Sequence, residues 1–420
     1  MSDNSVERRG NIDEDNKQNI PSLSFNKEEW TNSDLGSIST VQDGTHSTPH
    51  YVEEGIPFFS VETITSDVPP KYISQEEHDN LIKRCKPKQN DILLTRIGTL
   101  CESKLITWDF DFSIYVSLAL ISDIQIYPEF LNQYIKTNYY KKEYIKRSLL
   151  LAVPQKINLK DLKETIVKFP SISEQKKIAD FLDTIDRKIE LMEKKYLTLL
   201  QIKTNITTNL FCEKDKIYPL FKFSDEKWQK IILGEIGNTY SGLSGKNKED
   251  FGIGSSFFVP YKAIFDSEII DYNLLETVYI GSNEKQNNVQ KNDILFTSSS
   301  ETPEEVAMTS IFLNDYENCY LNSFSFGYRL TVDFIDPIFL NYYLRSPMLR
   351  KEFYKIAQGS TRYNISKKEI MKISIKYPSM ETQEKIVLFI LNINKIISNL
   401  KREINLNKEF KRSLLSKMFC

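Results

Sequence analysis

Apolar residues recur at alternating steps of four and three along two long stretches of this chain. The repeated positions are Ile178, Leu182, Ile185, Ile189 and Met192 in the first stretch, and Ile386, Ile390, Ile393, Ile397 and Leu400 in the second. Ile386 follows Ile178 by 208 positions, and the other pairs keep that offset. Such steps form the seam of a coiled-coil helix. Neither stretch contains proline or glycine, so the pattern predicts two amphipathic helices of about 37 residues and about 55 Å each.

Short signals mark where each predicted helix begins. Pro170 and Pro378 stand just before the two stretches, where a helix can start but cannot extend backward. Ser173 or Ser171 is a candidate N-cap residue of the first helix, and Glu174 falls in its first turn.

A narrow apolar stripe of this length must be buried against a partner. The simplest arrangement places the two helices antiparallel against each other, because the connection between them is long enough to be a whole domain. The alternative is that each helix packs on its own globular domain. Lys203 and Lys411 interrupt the stripe at the same position of both stretches, and polar seam residues set the register at some cost in stability.

The helices belong to a longer internal repeat. KFPSISEQKKIADFLDTIDRKIE (168–190) returns as KYPSMETQEKIVLFILNINKIIS (376–398), QNDILLT (89–95) as KNDILFT (291–297), and PEFLNQYI (128–135) as PIFLNYYL (337–344). The chain therefore consists of two copies of one unit, each with a variable front and a helical back. The predicted boundaries are a disordered N-terminus at 1–20, a globular domain at 21–170, a long helix at 171–213, a second globular domain at 214–378 and a second long helix at 379–420.

The two fronts show mixed helix and strand patterns, which predicts an α+β fold. IPFFSVETI (56–64) and NDILLTRIG (90–98) read as strands between Gly, Pro and Asn residues. FLNQYIKTNYYKKEYIKR (130–147) and FLNYYLRSPMLRKEFYKIA (339–357) read as helices with an aromatic face and a basic face. LAVPQKINLKDL and AQGSTRYNISKKEI read as polar loops. The fronts differ most in VQDGTHSTPHYVEEG (41–55) and TYSGLSGKNKEDFGIG (239–254), which suggests two related binding domains for two different ligands.

Composition narrows the function without identifying it. The net charge is −2, which argues against a polyanion-binding tail, although a neutral total can hide basic faces. The sequence carries no nucleotide-binding loop, zinc-protease or serine-hydrolase motif, and its three histidines all lie in the first copy. We therefore predict no catalytic residue and no metal site. Five scattered cysteines, and apolar runs too short for a signal peptide or a membrane span, predict a cytoplasmic protein with no membrane contact.

The positive signals point to binding. Hydroxyl, amide and guanidinium groups in polar loops are the groups that contact phosphates and base edges of nucleic acid. The candidate residues are Gly44, Thr45, His46, Thr48, Arg96, Lys141, Lys142 and Gln155 in the first copy, and Ser241, Ser244, Lys246, Arg350, Lys351, Gln358, Ser360, Thr361 and Arg362 in the second. Arg96 is unusual in a strand unless it projects into a site. For each lysine the alternative is a solvated helix face, and the recurrence in both copies favours a functional one.

The sequence resembles the specificity (S) subunit of Type I restriction-modification systems. The resemblance rests on the two variable fronts, on the repeated segments KFPSISEQKKIADFLDTIDRKIELMEK and KYPSMETQEKIVLFILNINKII, and on DGTHSTPHYVEEGIPFFSV and QGSTRYNISKKEI. It covers about residues 21–420. The second copy departs at Thr382, which stands in place of Glu174, and at Asn394, which stands in place of an acidic residue.

The resemblance implies two target-recognition domains, separated and joined by two long antiparallel coiled-coil helices in a pseudo-two-fold internal repeat. Each domain would read half of a split target in double-stranded DNA, and the helices would set the spacing and bind two methyltransferase (M) subunits. Motor-nuclease (R) subunits are a further expected partner, and whether they join the assembly stays open. S-adenosylmethionine, ATP and Mg²⁺ are expected in the partner subunits, with no cofactor bound by this chain.

Two other functions are compatible with the sequence. One is a non-catalytic scaffold whose two modules bind protein or sugar ligands on a coiled-coil spacer. The other is an enzyme whose site matches no familiar motif. Salt-dependent, sequence-selective binding of duplex DNA would distinguish the specificity subunit from the scaffold, and activity of the chain alone would favour the enzyme.

Overall fold

The repeat seen in the sequence is also the repeat of the fold. The computed structural model describes Leu23, Phe25 and residues 29–66, 68–211 and 218–419, so the predicted disordered segment 1–20 lies outside the described residues. The chain forms two compact units: Met1–Glu193 with Arg402–Cys420, here the first unit, and Lys194–Lys401, here the second unit.

The first unit contains two four-stranded sheets and one two-stranded sheet among its described residues. The strands are β1 (Thr31–Asp34), β2 (Thr40–Asp43), β3 (Tyr51–Val52), β4 (Ile56–Phe59), β5 (Lys71–Ile73), β6 (Ile92–Thr95), β7 (Ser103–Leu105), β8 (Ser113–Ile114), β9 (Leu118–Ser122) and β10 (Ile166–Phe169). The helices are α1 (Leu35–Ile38), α2 (Val61–Thr65), α3 (Gln75–Leu81), α4 (Pro128–Ile135), α5 (Asn138–Lys146), α6 (Leu159–Lys163) and the long helix α7 (Ile172–Leu210). The sheets have the orders β2-β9-β6-β7, β3-β5-β4-β8 and β1-β10.

The second unit repeats one four-stranded and one two-stranded sheet of this plan. The strands are β11 (Gln229–Ile232), β12 (Gly237–Ser241), β13 (Phe251–Val259), β14 (Glu276–Val278), β15 (Ile294–Thr297), β16 (Ser299–Ser300), β17 (Thr309–Ile311), β18 (Cys319–Leu321), β19 (Ser325–Leu330), β20 (Tyr363–Asn364) and β21 (Ser374–Tyr377). The helices are α8 (Leu233–Ile236), α9 (Tyr261–Asp266), α10 (Pro337–Arg345), α11 (Pro347–Ile356), α12 (Lys367–Ile370) and the long helix α13 (Met380–Met418), with 3₁₀ turns at Lys248–Asp250, Tyr272–Leu274 and Pro303–Glu305. The sheet β12-β19-β15-β17 matches β2-β9-β6-β7 and the sheet β11-β21 matches β1-β10, whereas the other sheets have the orders β14-β13-β18 and β16-β20.

The predicted strands and loops are confirmed with two corrections. NDILLT and KNDILFT form the inner strands β6 and β15, but the strand in IPFFSVETI ends at Phe59. Ser60 caps α2 there, because its backbone N–H donates to the Thr63 hydroxyl at 3.3 Å in a capping box. The segments predicted as loops contain α6, α12 and β20, since a short helix or strand needs too few residues to leave a clear period.

Each long helix has 39 residues, close to the predicted length. The first begins at Ile172, so Ser171, not Ser173, stands at its boundary. A buried glutamine anchors each start: the Gln175 amide donates to the Pro170 carbonyl and accepts from the Tyr127 N–H, both at 2.8 Å. Gln383 makes the same pair of contacts in the second unit. The repeated glutamine therefore satisfies backbone groups that the helix start would otherwise bury unpaired.

The apolar seam of the first unit packs on two partners at once. Ile178, Leu182, Ile185 and Ile189 lie in one core cluster with Trp30 and Phe130 of the globular part, and that cluster also contains Leu414, Met418 and Phe419 of the other long helix and its end. The two alternatives of the sequence analysis are thus both realised.

The two long helices run antiparallel in the first unit. Asp186 of α7 is paired with Lys411 of α13 at 2.6 Å, and Glu193 with Lys408 at 2.6 Å, so rising numbers on one helix meet falling numbers on the other. The side chain of Met192, one of the predicted seam residues, is half-buried there.

The core of the second unit is built in the reciprocal way, from the start of α13 and the end of α7. Its core cluster contains Ile386 and Ile390 of α13 together with Leu210 and Phe211 at the end of α7. Of the remaining predicted seam residues, Ile397 and Leu400 are buried and Ile393 is half-buried. Each long helix therefore gives its start to one unit and its end to the other.

An aromatic side chain just beyond each helix end completes a core. The ring of Phe419 lies within 6 Å of three rings of the first unit, with centroid distances of 5.9 Å to Trp30, 5.5 Å to Phe130 and 5.8 Å to Tyr134. Phe211 stacks on Tyr343 of the second unit at 4.7 Å. Both rings are almost fully buried, and burying such a side chain contributes about 1.5–3 kcal/mol.

The two seam lysines, Lys411 and Lys203, form ion pairs with carboxylates from different parts of the fold. Lys411 pairs with Asp186 of the facing helix, and although burial tends to raise the Asp186 pKa, bonds from Lys411 and Gln133 outweigh it and lower that pKa. In the second unit the corresponding helix residue is Asn394, which cannot pair with Lys203. Glu268, in the loop after α9, supplies the charge: it accepts from Lys203 at 2.5 Å and from Asn394 at 2.9 Å.

The aspartate of the repeated NDIL segment accepts from the backbone N–H three residues earlier in both units, but its further partners differ. Asp293 accepts two bonds from Arg329, at 2.8 Å from Nε and 2.7 Å from Nη2. The strand register places Ser122 at the position of Arg329 in the first unit. Asp91 accepts a backbone N–H bond from Lys88 at 2.9 Å, and its burial raises the pKa to about 6.

Replacing Asp91 by asparagine is expected to stabilise the protein by about 1–3 kcal/mol at pH 8 and by less than half as much at pH 4.5. The folded state binds the Asp91 proton more tightly than the unfolded state, whose pKa is near 3.8. The stability that comes from the protonated Asp91 side chain is therefore fully present below pH 3.8 and is lost as the pH rises through about 6. Asparagine does not ionise, so its variant keeps the free energy of unfolding that aspartate loses. Urea unfolding at both pH values measures the effect. Asp293→Asn is the matched control, expected to destabilise at pH 8, and a gain for Asp91→Asn that is equal at both pH values would contradict the assignment.

Candidate nucleic-acid interface

Matching loops leave the same strand in both units. After β2, the Thr45 N–H donates to the Ile114 carbonyl at 3.1 Å, and after β12 the Leu243 N–H donates to the Leu321 carbonyl at 2.7 Å. A side-chain carbon on Gly44 would lie 2.0 Å from the Ile114 oxygen, and one on Gly242 would be equally close to a carbonyl. Both glycines are buried and allow this close approach, so Gly44 shapes the loop and is not itself open to DNA.

The loop after β2 presents polar side chains beyond this glycine. His46 is exposed, and its Nε2 lies 3.0 Å from the Asp43 carboxylate. Thr45 is half-buried and Thr48 is exposed, while the Thr45 hydroxyl accepts from the Ser47 N–H at 3.2 Å. An imidazole and a hydroxyl held on a short, internally bonded loop can donate to phosphate oxygens or base edges.

Arg96 projects into the protein. It is 7% exposed, and its Nη1 donates to Asp43 at 3.0 Å and to the Val116 carbonyl at 3.1 Å, while Nε donates to the Ile157 carbonyl at 3.3 Å. The predicted role in direct DNA contact is corrected: Arg96 fastens the loop after β2 to two neighbouring segments. Burial lowers the Arg96 pKa.

Asp43 is the centre of this cluster. Burial tends to raise its pKa, but bonds from Arg84 and His46 and the charge of Arg96 outweigh burial and lower it. The sequence analysis missed Arg84, whose guanidinium lies 2.5 Å from Asp43 and is largely exposed. No repeat or motif marks IKRCK, so the signal for Arg84 lies only in the fold.

A hairpin stands beside the loop in each unit. In the first unit Leu149 and Lys156 form the base of a hairpin over 149–156, here the first hairpin, and the Gln155 carbonyl accepts from the Gly98 N–H at 2.9 Å. The Gln155 side chain is exposed. In the second unit Gln358 and Asn364 pair through backbone bonds of 2.9 and 2.8 Å at the base of the second hairpin, 358–364.

The second hairpin carries four of the predicted residues. The side chains of Gln358, Ser360, Thr361 and Arg362 are all exposed. Gly359 has a φ of 137°, a backbone conformation open to glycine, and this turns the tip so that the following three side chains project from it.

Both hairpins border a cavity. The cavity of the second unit has a volume of about 420 Å³ and is lined by Tyr261, Phe265, Ser299, Ser300, Glu301, Glu305, Phe324 and Arg362. That of the first unit has about 330 Å³, and its lining includes Tyr51, Phe58, Ser60, Glu62, Lys71, Gly98, Tyr115, Ser117 and Pro154. Aromatic rings beside charged and hydroxyl groups suit a planar, hydrogen-bonding ligand such as a nucleobase.

Two further predicted cations are held internally in the second unit. Lys246 forms an ion pair with Glu284, and its side chain is 6% exposed; hydrogen bonds from Lys246 and Gln286 lower the Glu284 pKa to about 2. Arg350 donates to the carbonyls of Glu304, Val306 and Ala307, and burial lowers its pKa to about 10. Lys246 is therefore closed off from a DNA ligand, whereas Arg350 is half-buried and its guanidinium is held by these three carbonyls.

The other predicted residues remain accessible. Lys141 is half-buried and pairs with Glu102 at 2.9 Å, whereas Lys142 and Lys351 are exposed. Ser241 accepts from Lys367 at 2.5 Å, and the backbone of Ser244 is bonded to the Gln286 amide. Among the residues that the structure describes, no three His, Cys, Asp or Glu side chains form a metal-binding group. Nor does any helix in the described ranges combine the length and apolar character that crossing a bilayer requires.

The fold and the loops define a protein with two copies of a loop-bearing binding domain, each completed by parts of two long helices. A family model of the Type I restriction modification DNA specificity domain matches residues 27–201 and again 225–408. The chain belongs to this family, and the two matched stretches are the two copies of the repeat.

Individual relatives carry the same description. The chain is 29% identical over 140 residues to the Type I restriction enzyme EcoBI specificity subunit of Escherichia coli, covering 33% of this chain and 29% of that protein. It is 23% identical over 299 residues to the putative MjaX specificity subunit of Methanocaldococcus jannaschii, covering 67% and 65%. The matches therefore span less than two thirds of either relative.

Solved structures share the fold. The S subunit of a Type I restriction-modification system from M. genitalium superimposes with a TM-score of 0.58 at 18% identity, covering 96% of this chain and 99% of that one. A chain from a study of complex assembly and conformational transition of the type I R-M system gives a TM-score of 0.58 at 17% identity, covering 92% and 97%. At these identities the likeness concerns the fold.

Proposed function

We propose that this chain is the DNA-recognition subunit of a Type I restriction-modification complex, in which each unit reads one half of a split target in double-stranded DNA. The observation that carries the proposal is that two units, which share the strand order of one four-stranded sheet, present different side chains at the same loop and the same hairpin. His46 and Thr48 project in the first unit, where Ser244 and the polar tip with Arg362 project in the second. Equal scaffolds with unequal loops would read two different half-sites.

The proposal assigns the partners to the long helices. Large apolar side chains are exposed on both, including Leu191 and Leu197 on α7 and Leu388 and Phe410 on α13. Exposed apolar residues on helices that are otherwise packed suit protein partners, here two methyltransferase (M) subunits, with motor-nuclease (R) subunits in a full restriction complex. Helices of 39 residues, about 58 Å long, would fix the spacing of the half-sites.

The catalytic reactions would be carried out by the methyltransferase and motor-nuclease subunits. S-adenosylmethionine would be held by the methyltransferase subunits, and ATP and Mg²⁺ by the motor-nuclease subunits. The groups that this chain directs inward at its binding surface, such as Arg96 and Arg350, are engaged with carboxylate and carbonyl oxygens. We propose a non-catalytic role in which binding alone selects the methylated sequence.

Mapping methylated adenines in a host that expresses the chain with its partner subunits tests the proposal. We expect a split motif with two defined halves and a fixed gap. Arg362→Ala is expected to weaken DNA binding about 5- to 150-fold and to relax one half only, because a guanidinium contact to a base contributes about 1–3 kcal/mol. His46→Ala is expected to affect the other half. Lys372→Ala, at an exposed lysine paired with Glu369, is the control.

A protein- or sugar-binding scaffold would give the opposite result. The complex would then show no sequence-selective binding of duplex DNA beyond a salt-sensitive, non-specific background, and no split motif would be methylated. If both Arg362→Ala and His46→Ala kept the target choice unchanged, the two loops would not belong to the proposed interface. The methylation map alone would then decide whether the chain is the DNA-recognition subunit.

A further inference from the structure

The first hairpin exposes apolar side chains at its tip. Leu151 is 100% exposed and Val153 is 99% exposed, and Leu149 and Leu150 beside them are each more than two-fifths exposed. Single exposed leucines are common on protein surfaces, but four large apolar residues in one short turn form a patch of the kind that marks an interaction site.

The tip is held by its base. The Leu149 N–H donates to the Lys156 carbonyl at 2.7 Å, and the Ala152 N–H donates to the Leu149 carbonyl at 3.3 Å. The Gly98 N–H donates to the Gln155 carbonyl at 2.9 Å. The apolar side chains therefore project from an ordered turn, so presenting them to a ligand costs little additional conformational entropy.

The second hairpin differs at the same place in the fold. Both hairpins end one residue before a matching backbone bond, from the Ile157 N–H to the Arg96 carbonyl in the first unit and from the Ile365 N–H to the Ser298 carbonyl in the second. The tip of the second carries Ser360, Thr361 and Arg362. One hairpin thus offers apolar contacts where the other offers hydrogen bonds.

We propose that Leu151 and Val153 contact thymine 5-methyl groups in the major groove of the half-site read by the first unit. The inference rests on the proposed function and adds the chemistry by which one half-site is read. The 5-methyl group of thymine is the apolar feature of the major-groove edge, and apolar side chains recognise it.

The surroundings of the tip favour DNA over a protein partner. Arg96 links the residue that follows the hairpin, Ile157, to Asp43 at the start of the loop of Thr45 and His46, because its guanidinium donates to both. The exposed lysines Lys142 and Lys146 lie on the helix that ends just before the hairpin. An apolar tip that follows a helix with exposed cations and is tied to a polar loop matches a methyl-bearing groove bordered by phosphates.

Deoxyuridine substitution tests the proposal on the intact complex of the chain with its methyltransferase subunits. Each thymine of the first unit's half-site, assigned by the His46→Ala methylation map, is replaced by deoxyuridine, which lacks the methyl group and keeps the base pair. We expect one or two substitutions to weaken binding about fourfold each. The double variant Leu151→Ser/Val153→Ser is expected to bind both DNAs equally, at the weaker affinity. Leu274→Ser, an exposed leucine of the second unit, is the control and keeps the preference.

Four results would overturn the proposal. They are a half-site without thymine, equal binding of thymine and deoxyuridine DNA by the unmodified complex, a double variant that keeps the preference, and a double variant that fails to assemble with the methyltransferase subunits. The last would identify a protein contact instead. Absence of any sequence-selective DNA binding would instead reject the proposed function itself.

Discussion

Phe419→Ala is expected to destabilise the first unit by about 3–5 kcal/mol, the cost of truncating a buried phenylalanine, and to leave the second unit unchanged. The Phe419 ring is 1% exposed and sits among Trp30, Phe130 and Tyr134. Removing it opens a cavity in a core formed by residues hundreds of positions earlier in the chain. Hydrogen exchange resolved by peptide measures the effect, as lost protection in residues 29–193 with normal protection in residues 218–401.

Phe211→Ala is the matched variant with the reciprocal expectation. Phe211 is 2% exposed and stacks on Tyr343, so its loss should deprotect the second unit and spare the first. If Phe419→Ala deprotected both units equally, or only the second, the assignment of the helix ends to opposite units would be wrong.

Arg329→Met is expected to destabilise the second unit by about 3–5 kcal/mol, because it leaves a buried carboxylate without its cation. The Asp293 side chain is 1% exposed and receives both guanidinium bonds of Arg329. Methionine keeps most of the packing of the arginine stem, so the loss reports the charge pair. Urea unfolding of the full chain at pH 8 measures it.

The double variant Arg329→Met/Asp293→Asn provides the control. Asparagine carries no charge to leave unpaired, so the double variant should recover part of the lost stability, and the difference gives the coupling energy of the pair. A double variant that loses the full sum of both single effects would show that the two residues act independently.

The repeat and the helices could be predicted because they depend on local pattern. The heptad steps, the two prolines and the repeated NDIL segments each constrain a few neighbouring residues, and β6, β15, α7 and α13 follow from them. Gln175 and Gln383 occupy the same position of the repeated segment. The structure explains this repetition, because each glutamine amide donates to a backbone carbonyl at the start of its helix.

The sequence could not show which charged side chains form bonds within the protein and which remain free to contact a ligand. Arg96, Lys246 and Arg350 have the composition of a DNA-binding surface, yet their partners are Asp43, Glu284 and three carbonyls brought together only by folding. The heptad pattern likewise predicts that an apolar stripe is buried, but it does not indicate which element of the fold covers that stripe. Sharing of the stripe between a globular part and the other helix is a property of the topology.

The reciprocal ends of α7 and α13 have a consequence for how the protein is made. Domains of a nascent chain ordinarily fold as units in the order of synthesis. Here the first unit needs Arg402–Phe419, which the ribosome reaches only after translating all of Lys194–Lys401. The hydrophobic surface around Trp30 and Phe130 therefore stays open throughout translation of the second unit, so this protein is expected to need chaperone protection until those last residues emerge.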